Sequence, residues 1–185
     1  MSSYKDNFIN HILFNSESNE WTDAVIEWEI LDWEEDINMD SSCICGKENI
    51  KYLFKIKNIK NGIILFPIGS RCIEKFERED LNEIISEKEA LFKLLEKVKN
   101  NEFLTLKDSG FNRKLLRYFY DKNVFKANKY NDNDPEKDYN FLVKMFNKRN
   151  PPTDKQASKI RGLITYTIRP FLIFELTNKT NNNLF

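Results

Sequence analysis

The stretch "SSCICGKENI", Ser41–Ile50, decides how this chain is read. It holds two of the three cysteines, Cys43 and Cys45, one residue apart and followed by Gly46. The third, Cys72, stands in "IGSRCIEKF". Cys-x-Cys-Gly makes a tight turn that can aim two sulfurs at one point, with glycine letting backbone amides approach them. Thiolates bind zinc well, and zinc favours four ligands. The alternative is a metal-free core, in which the three cysteines act as small apolar residues.

What lies between the cysteines has its own pattern. In "KYLFKIKNIKNGIILFPIG", Tyr52, Phe54 and Ile56 alternate with Leu53, Lys55 and Lys57. Asn61-Gly62 is a strong hairpin-turn signal, since both residues tolerate positive φ. The spacing predicts a β-hairpin over 51–67, with Ile63–Phe66 as the return strand and Pro67 ending the pairing. Ser70 then caps a short helix from Arg71 to about Glu79. At that helix start the backbone dipole favours a thiolate on Cys72. Knuckle, hairpin, helix is the order of a treble-clef zinc finger.

The segment "CICGKENIKYLFKIKNIKNGIILFPIGSRCIEKF" is similar to one in proteins of bacteria, phages and large DNA viruses. The shared pattern is C-x-C-G, a hairpin with an Asn-Gly-type turn, then G-S/N-x-C-I/V-x-x-F. "AVIEW", with Trp28, belongs to the likeness, which covers about residues 20–80. A looser likeness extends to "FLVKMFNKRNPPTDKQASKI". The resemblance to treble clefs implies zinc, and with it nucleic-acid or protein binding. A treble clef supplies four ligands, and this chain offers Cys43, Cys45 and Cys72. The fourth place is open to His11, the only histidine, to a carboxylate such as Asp40, Glu74 or Glu77, to water, or to a partner's group.

The 185 residues suit one domain or two small ones, and 41% hydrophobic with 14% aromatic residues can fill a core. No apolar run approaches the roughly 18–20 residues that span a bilayer. The first ten residues lack a signal peptide's layout. A cytoplasmic, reducing setting is expected, in which three cysteines do not form a disulfide framework. The net charge of zero hides an asymmetry. Residues 1–46 hold one basic residue, Lys5, against eleven acids, whereas the rest holds 28 Lys and Arg against 18 acids. Such halves can pair within the fold or face different partners.

In the acidic half, Ser18 is expected to cap a helix carrying Trp21, Ala24, Val25 and Trp28 on one face. The alternation that follows predicts a strand near Glu29–Glu34. "FINHILF", around His11, reads as a hydrophobic segment. After Leu81 the periodicity turns helical, with Ile84, Leu91 and Val98 a heptad apart beside Ile85, Phe92 and Leu95. A second helix after Gly110 carries Leu115, Leu116 and Phe119. Pro135 opens a third, with Tyr139, Leu142, Val143 and Phe146 inward. Thr153 and Gln156 form a capping box for a fourth, which buries Ile160, Leu163, Ile164 and Thr167 and stops at Pro170. "TNKTNNNLF" reads as a frayed tail. The fold class expected is α+β: a treble-clef-like knuckle, hairpin and helix module over residues 1–80, then a small basic helical bundle over 81–185.

Enzymatic chemistry has little support. There is one histidine, no G-x-S-x-G, no phosphate-cradling loop and no dinucleotide motif. An open zinc position would allow hydrolysis, but no H-x-x-E-H or H-x-E signature occurs. The basic half interleaves Arg113, Lys114, Arg117, Lys122 and Lys126 with Phe111, Tyr118, Tyr120 and Tyr130, and Lys148 and Arg149 follow. Cations neutralise phosphates and exposed rings stack on bases, so DNA or RNA contact is the leading expectation. The rival is a protein partner met through an acidic surface at Glu34, Glu35 and Asp36, imitating a phosphate backbone. Small phage proteins that inhibit host defence, anti-CRISPR proteins among them, behave in this way.

Overall fold

The computed structural model describes residues 3–107 and 110–182, with side chains through Asn178. The chain divides into two compact units, Met1–Ile85 and Ser86–Phe185, and the division falls within one helix, α4 (Glu79–Lys99). The class is α+β, with one three-stranded antiparallel sheet and several helices. Among the described residues no helix is long and apolar enough to cross a membrane.

The first unit begins with α1 (Tyr4–Phe14). Its start is a capping box: Ser3 Oγ accepts from the Asp6 N–H, and the Asp6 carboxylate accepts from the Ser3 N–H. The segment around His11 is therefore helical, burying Phe8 and Ile12 and leaving His11 exposed. The expected cap at Ser18 does not form. Ser18 Oγ accepts from the Glu20 N–H in a local turn, and the helix that follows, α2, is one turn long, Trp21–Ala24, with Glu20 at its N-cap. A 3-10 turn, Val25–Glu27, leads directly into β1 (Trp28–Glu35), so Trp28 opens the strand rather than extending a helical face.

β1 pairs with β2 (Tyr52–Asn58), and β2 with β3 (Ile64–Gly69), giving the order β1-β2-β3. Leu31 is an extra residue in β1, between the pairs Ile30↔Ile56 and Asp32↔Lys55. Pro67 does not end the hairpin. Ile56 faces Leu65 and Phe54 faces Ile68, so Phe66 and Pro67 form a bulge, after which pairing resumes through Gly69. The bulge absorbs the missing proline N–H on an edge strand. The chain then turns into α3 (Ser70–Ile73) and a 3-10 turn, Glu74–Phe76. Gly69 is the N-cap, and Ser70 already lies inside the helix. The core gathers Phe8, Ile12, Trp28, Phe54, Ile56 and Ile68 with Ile73, Phe76 and all three cysteines.

The second unit is helical: the rest of α4, then α5 (Arg113–Asp121), α6 (Pro135–Asn147), α7 (Asp154–Leu163) and α8 (Arg169–Asn182). Asn112 caps α5, Asp134 caps α6 ahead of Pro135, and Thr153 with Gln156 forms the capping box of α7. α5 packs on α6, and Phe171 of α8 meets Phe119 of α5 edge-on at 5.8 Å between centroids. In α6 the buried residues are Asp138, Leu142 and Met145, while Tyr139, Val143 and Phe146 are half-buried. Pro170 does not stop the helix. A π turn, Ile164–Ile168, joins α7 to α8, with the Arg169 N–H reaching back five residues to the Ile164 carbonyl. The wider turn carries the chain past the donor that Pro170 lacks. Helix α8 thus runs into the stretch read as a tail, whose last three residues lie outside the described ones.

Candidate metal centre

Two pieces of backbone build the site. The first is the knuckle. The Gly46 N–H donates to the Cys43 carbonyl at 2.8 Å, and the Cys43 N–H donates to the Lys47 carbonyl at 2.8 Å. Gly46 holds φ at 92°, in the left-handed region that glycine adopts without strain. The knuckle is tied to β3 through the Ile44 N–H on the Pro67 carbonyl, and to α1 through Asn7 Nδ2 on the Cys45 carbonyl, at 3.0 and 3.1 Å. The second piece is the strand-to-helix turn at Gly69–Ser70, which sets Cys72 in the first turn of α3.

These pieces bring Cys43, Cys45 and Cys72 together. Their Sγ atoms all lie within 4.8 Å of one another, and each residue is at most 4% exposed. Cys43 Sγ and Cys72 Sγ are 3.7 Å apart, so the thiols are free rather than bonded. Zinc–sulfur bonds of about 2.3 Å at tetrahedral angles put thiolate sulfurs about 3.8 Å apart. The donor set fits a soft, thiophilic ion. Further donors surround the sulfurs: the Gly69 N–H points to Cys43 Sγ at 3.4 Å, and Lys75 Nζ to Cys72 Sγ at 3.4 Å.

The electrostatics also favour a cation. A hydrogen bond from Cys72 lowers the Cys43 thiol to about 5, with N–H groups of Cys45 and Gly69 adding to it against the opposing effect of burial. Cys72 is pushed upward, because it is the donor to Cys43, is buried, and feels the negative charge of its neighbour. One thiolate is readily held here; ionising all three requires a positive charge among them.

His11 is not brought to the thiols. It is exposed in the last turn of α1, and its carbonyl accepts from Asn15. Among the described residues no histidine, aspartate or glutamate joins the three cysteines, so Asp40, Glu74 and Glu77 are not part of the group. Sequence reasoning did not single out Lys75. The signal was present as Cys-x-x-Lys, a spacing that puts both side chains on one face of a helical turn.

The other residues singled out are spread over both units. Arg113, Arg117, Lys122, Lys126 and Arg149 are exposed, while Lys114 and Lys148 are half-buried. Several have partners: Arg113 Nε donates to Asn147, Arg117 pairs with Asp121 at 2.9 Å, and Lys148 Nζ donates to Gln156. Of the acids, Glu34 is exposed, Glu35 pairs with Lys51 at 3.3 Å, and Asp36 accepts from the Ser41 N–H and hydroxyl. Asp36 is held below the usual carboxylate range chiefly by Ser41, and it closes the turn that leads into the knuckle.

A second buried polar site went unread in the sequence. The Glu27 carboxylate, fully buried, accepts from the Glu17 and Ser18 N–H groups, from Asn58 Nδ2 and from Lys60 Nζ, at 2.8 to 3.1 Å. It clasps the α1–α2 loop to the hairpin. No family model, no curated protein and no solved structure matches this chain.

Proposed function

We propose that this chain is a non-enzymatic, intracellular zinc-binding protein. Cys43, Cys45 and Cys72 hold the ion at the centre of a treble-clef-type module, and the basic surface of the second unit contacts DNA or RNA. The observation that carries the metal reading is the convergence of three buried, free thiols from a knuckle and a helix start. The order supports it: knuckle at 43–46, hairpin through Gly69, then a helical turn bearing Cys72. The bound ion would join the knuckle to α3 and add its binding energy to the stability of the fold. The non-enzymatic reading rests on the single histidine, which is exposed and not grouped with the thiols.

Nucleic-acid contact is supported by exposed cations beside rings. Arg117 lies over the Tyr120 ring at 5.2 Å, and Lys129 over Tyr130, which is 79% exposed. The Lys129–Tyr130 pair offers a phosphate its countercharge and a base a stacking face, whereas the Tyr120 ring is half-buried against Tyr139. The test is zinc content of protein purified under reducing conditions, followed by oligonucleotide binding across a salt series. Zinc near one per chain and salt-sensitive binding support the reading. Metal-free protein, or binding indifferent to salt, contradicts the corresponding half.

The acidic edge strand supports a second reading, an inhibitor that occupies a partner's basic groove. Glu29, Asp32 and Glu34 are exposed on β1. Lysines of β2 offset part of that charge, as Lys55 stands 3.9 Å from Asp32. Capture of a nucleic-acid enzyme that is lost when Glu29 and Glu34 become lysine would favour this reading over the first.

A further inference from the structure

Lys75 follows Cys72 by three residues and lies in the 3-10 turn Glu74–Phe76. Its Nζ donates to Cys72 Sγ at 3.4 Å. The same ammonium stands 5.5 Å from the centroid of the Phe8 ring. Phe8 is fully buried and packs against Phe76 and Trp21, with centroids 5.5 and 6.5 Å away. The cation is thus held between an aromatic face and a sulfur. Among the described residues no carboxylate pairs with it. A half-buried ammonium without a carboxylate needs another source of negative charge.

Three thiolates around a divalent ion supply that charge. The set carries one net negative charge, in a site whose ligands are nearly inaccessible to water. An uncompensated buried charge is costly. One ammonium in hydrogen-bond contact with a ligand sulfur brings the sum to zero.

We propose that Lys75 belongs to the metal centre as its charge-neutralising and positioning residue. Its ammonium offsets the net charge of the ion and three thiolates, and its N–H···S bond fixes Cys72 toward the ion. The inference rests on the zinc reading above. Groups that orient and neutralise the ligands of a metal typically change its affinity by about 10–100-fold when removed.

The test compares the full chain with K75M, K75Q and K75R. Zinc affinity is read by competition with a chromogenic chelator in reducing buffer, and thiolate ligation by the charge-transfer absorption of the cobalt-substituted protein. K75M keeps the apolar stem over Phe8 and loses the charge, and is expected to bind zinc about 10–100-fold more weakly. K75Q should weaken to a similar degree and carries the test if K75M does not fold. K75R keeps the charge and should stay within about threefold of the unaltered protein, with its cobalt spectrum preserved. K75M and K75Q binding as tightly as the unaltered chain would overturn the inference while leaving the zinc reading intact. K75R as weak as K75M would overturn it too, since charge would then not be what matters. If the unaltered protein binds no zinc, both readings fall.

Discussion

Cys43 Sγ and Cys72 Sγ lie 3.7 Å apart although 29 residues separate them in the chain. A hairpin and a bulged edge strand intervene, and both sulfurs are buried. Packing alone would not require thiols at that point, since any small apolar side chain would fill it. The distance is that of two thiolates sharing an ion, and nearly twice the roughly 2.05 Å of a disulfide.

Metal removal should therefore destabilise the first unit. With free zinc about a hundredfold above its Kd, binding adds about 2.7 kcal/mol. For a unit of this size that corresponds to a fall of roughly 10–20 °C in Tm when a chelator is added. C72S should melt at the lower temperature and ignore the chelator. Thermal melts of both proteins, with and without chelator, check this. Equal chelator sensitivity in the two would show that Cys72 is not a ligand.

Glu27 sets an acid limit on stability. Burial pushes its carboxyl up, but Asn58, the Glu17 N–H, Lys60 and the Ser18 N–H together pull it down from 4.5 to about 2. A depressed folded value means that the ion-stabilised clasp contributes fully above about pH 4.5 and is lost as pH falls toward 2. Denaturant midpoints should drop across that window in the unaltered protein and less steeply in E27Q. E27A removes the acceptor of the buried Asn58 amide and of the Glu17 and Ser18 N–H groups, and should cost about 3 kcal/mol at neutral pH. Equal acid profiles for the unaltered chain and E27Q would refute the clasp.

Gly110 is required by a close approach rather than by a turn. A Cβ there would come within 3.0 Å of the Leu94 side chain, which is fully buried. Leu94 has little room to yield in a packed interior. G110A should destabilise the second unit by about 1–3 kcal/mol, read as a shift in the urea midpoint. G62A serves as a contrast in space, because nothing lies within 4 Å of its Cβ; its φ of 79° makes any cost one of backbone strain.

If the basic unit touches nucleic acid, exposed cations should control the salt dependence. Arg117→Ala and Lys126→Ala are each expected to reduce the slope of log K against log salt by about one. Arg113→Ala also removes the bond to Asn147, and Arg117→Ala the ion pair with Asp121. Their slopes should therefore be interpreted beside melting curves. Unchanged slopes in all three variants would place the contact elsewhere or nowhere.

Local chemistry made much of the fold legible. Asn61-Gly62 marked the hairpin, Pro135 the start of α6, and Thr153 with Gln156 the box of α7. Each is a short-range signal whose partner lies within a few residues. The failures involved proline and capping in a wider context. Pro67 and Pro170 were read as stops, yet a bulge and a π turn let strand and helix continue. Ser18 satisfied a nearer N–H instead of capping a helix. Ser3 and Asp6 did carry a readable cap signal for α1, hidden beside the apolar run around His11.

For the site, the thiols were visible from type and spacing, but their meeting depended on register. The Phe66–Pro67 bulge advances β3 by one residue before Gly69 and Cys72. Glu27 was unreadable because its partners come from two distant places, Glu17 and Ser18 from the α1–α2 loop and Asn58 and Lys60 from the end of β2 and the turn after it. Buried carboxylates are rare enough that composition alone assigns them to the surface.

Zinc per chain, counted by native mass spectrometry of protein purified in reductant without added metal, tests the central claim most directly. One ion is expected in the unaltered chain and none in C45S or C72S. A metal-free unaltered chain that is fully folded, with three thiols open to alkylation on mild unfolding, would show that the cysteines are core residues and would contradict the account.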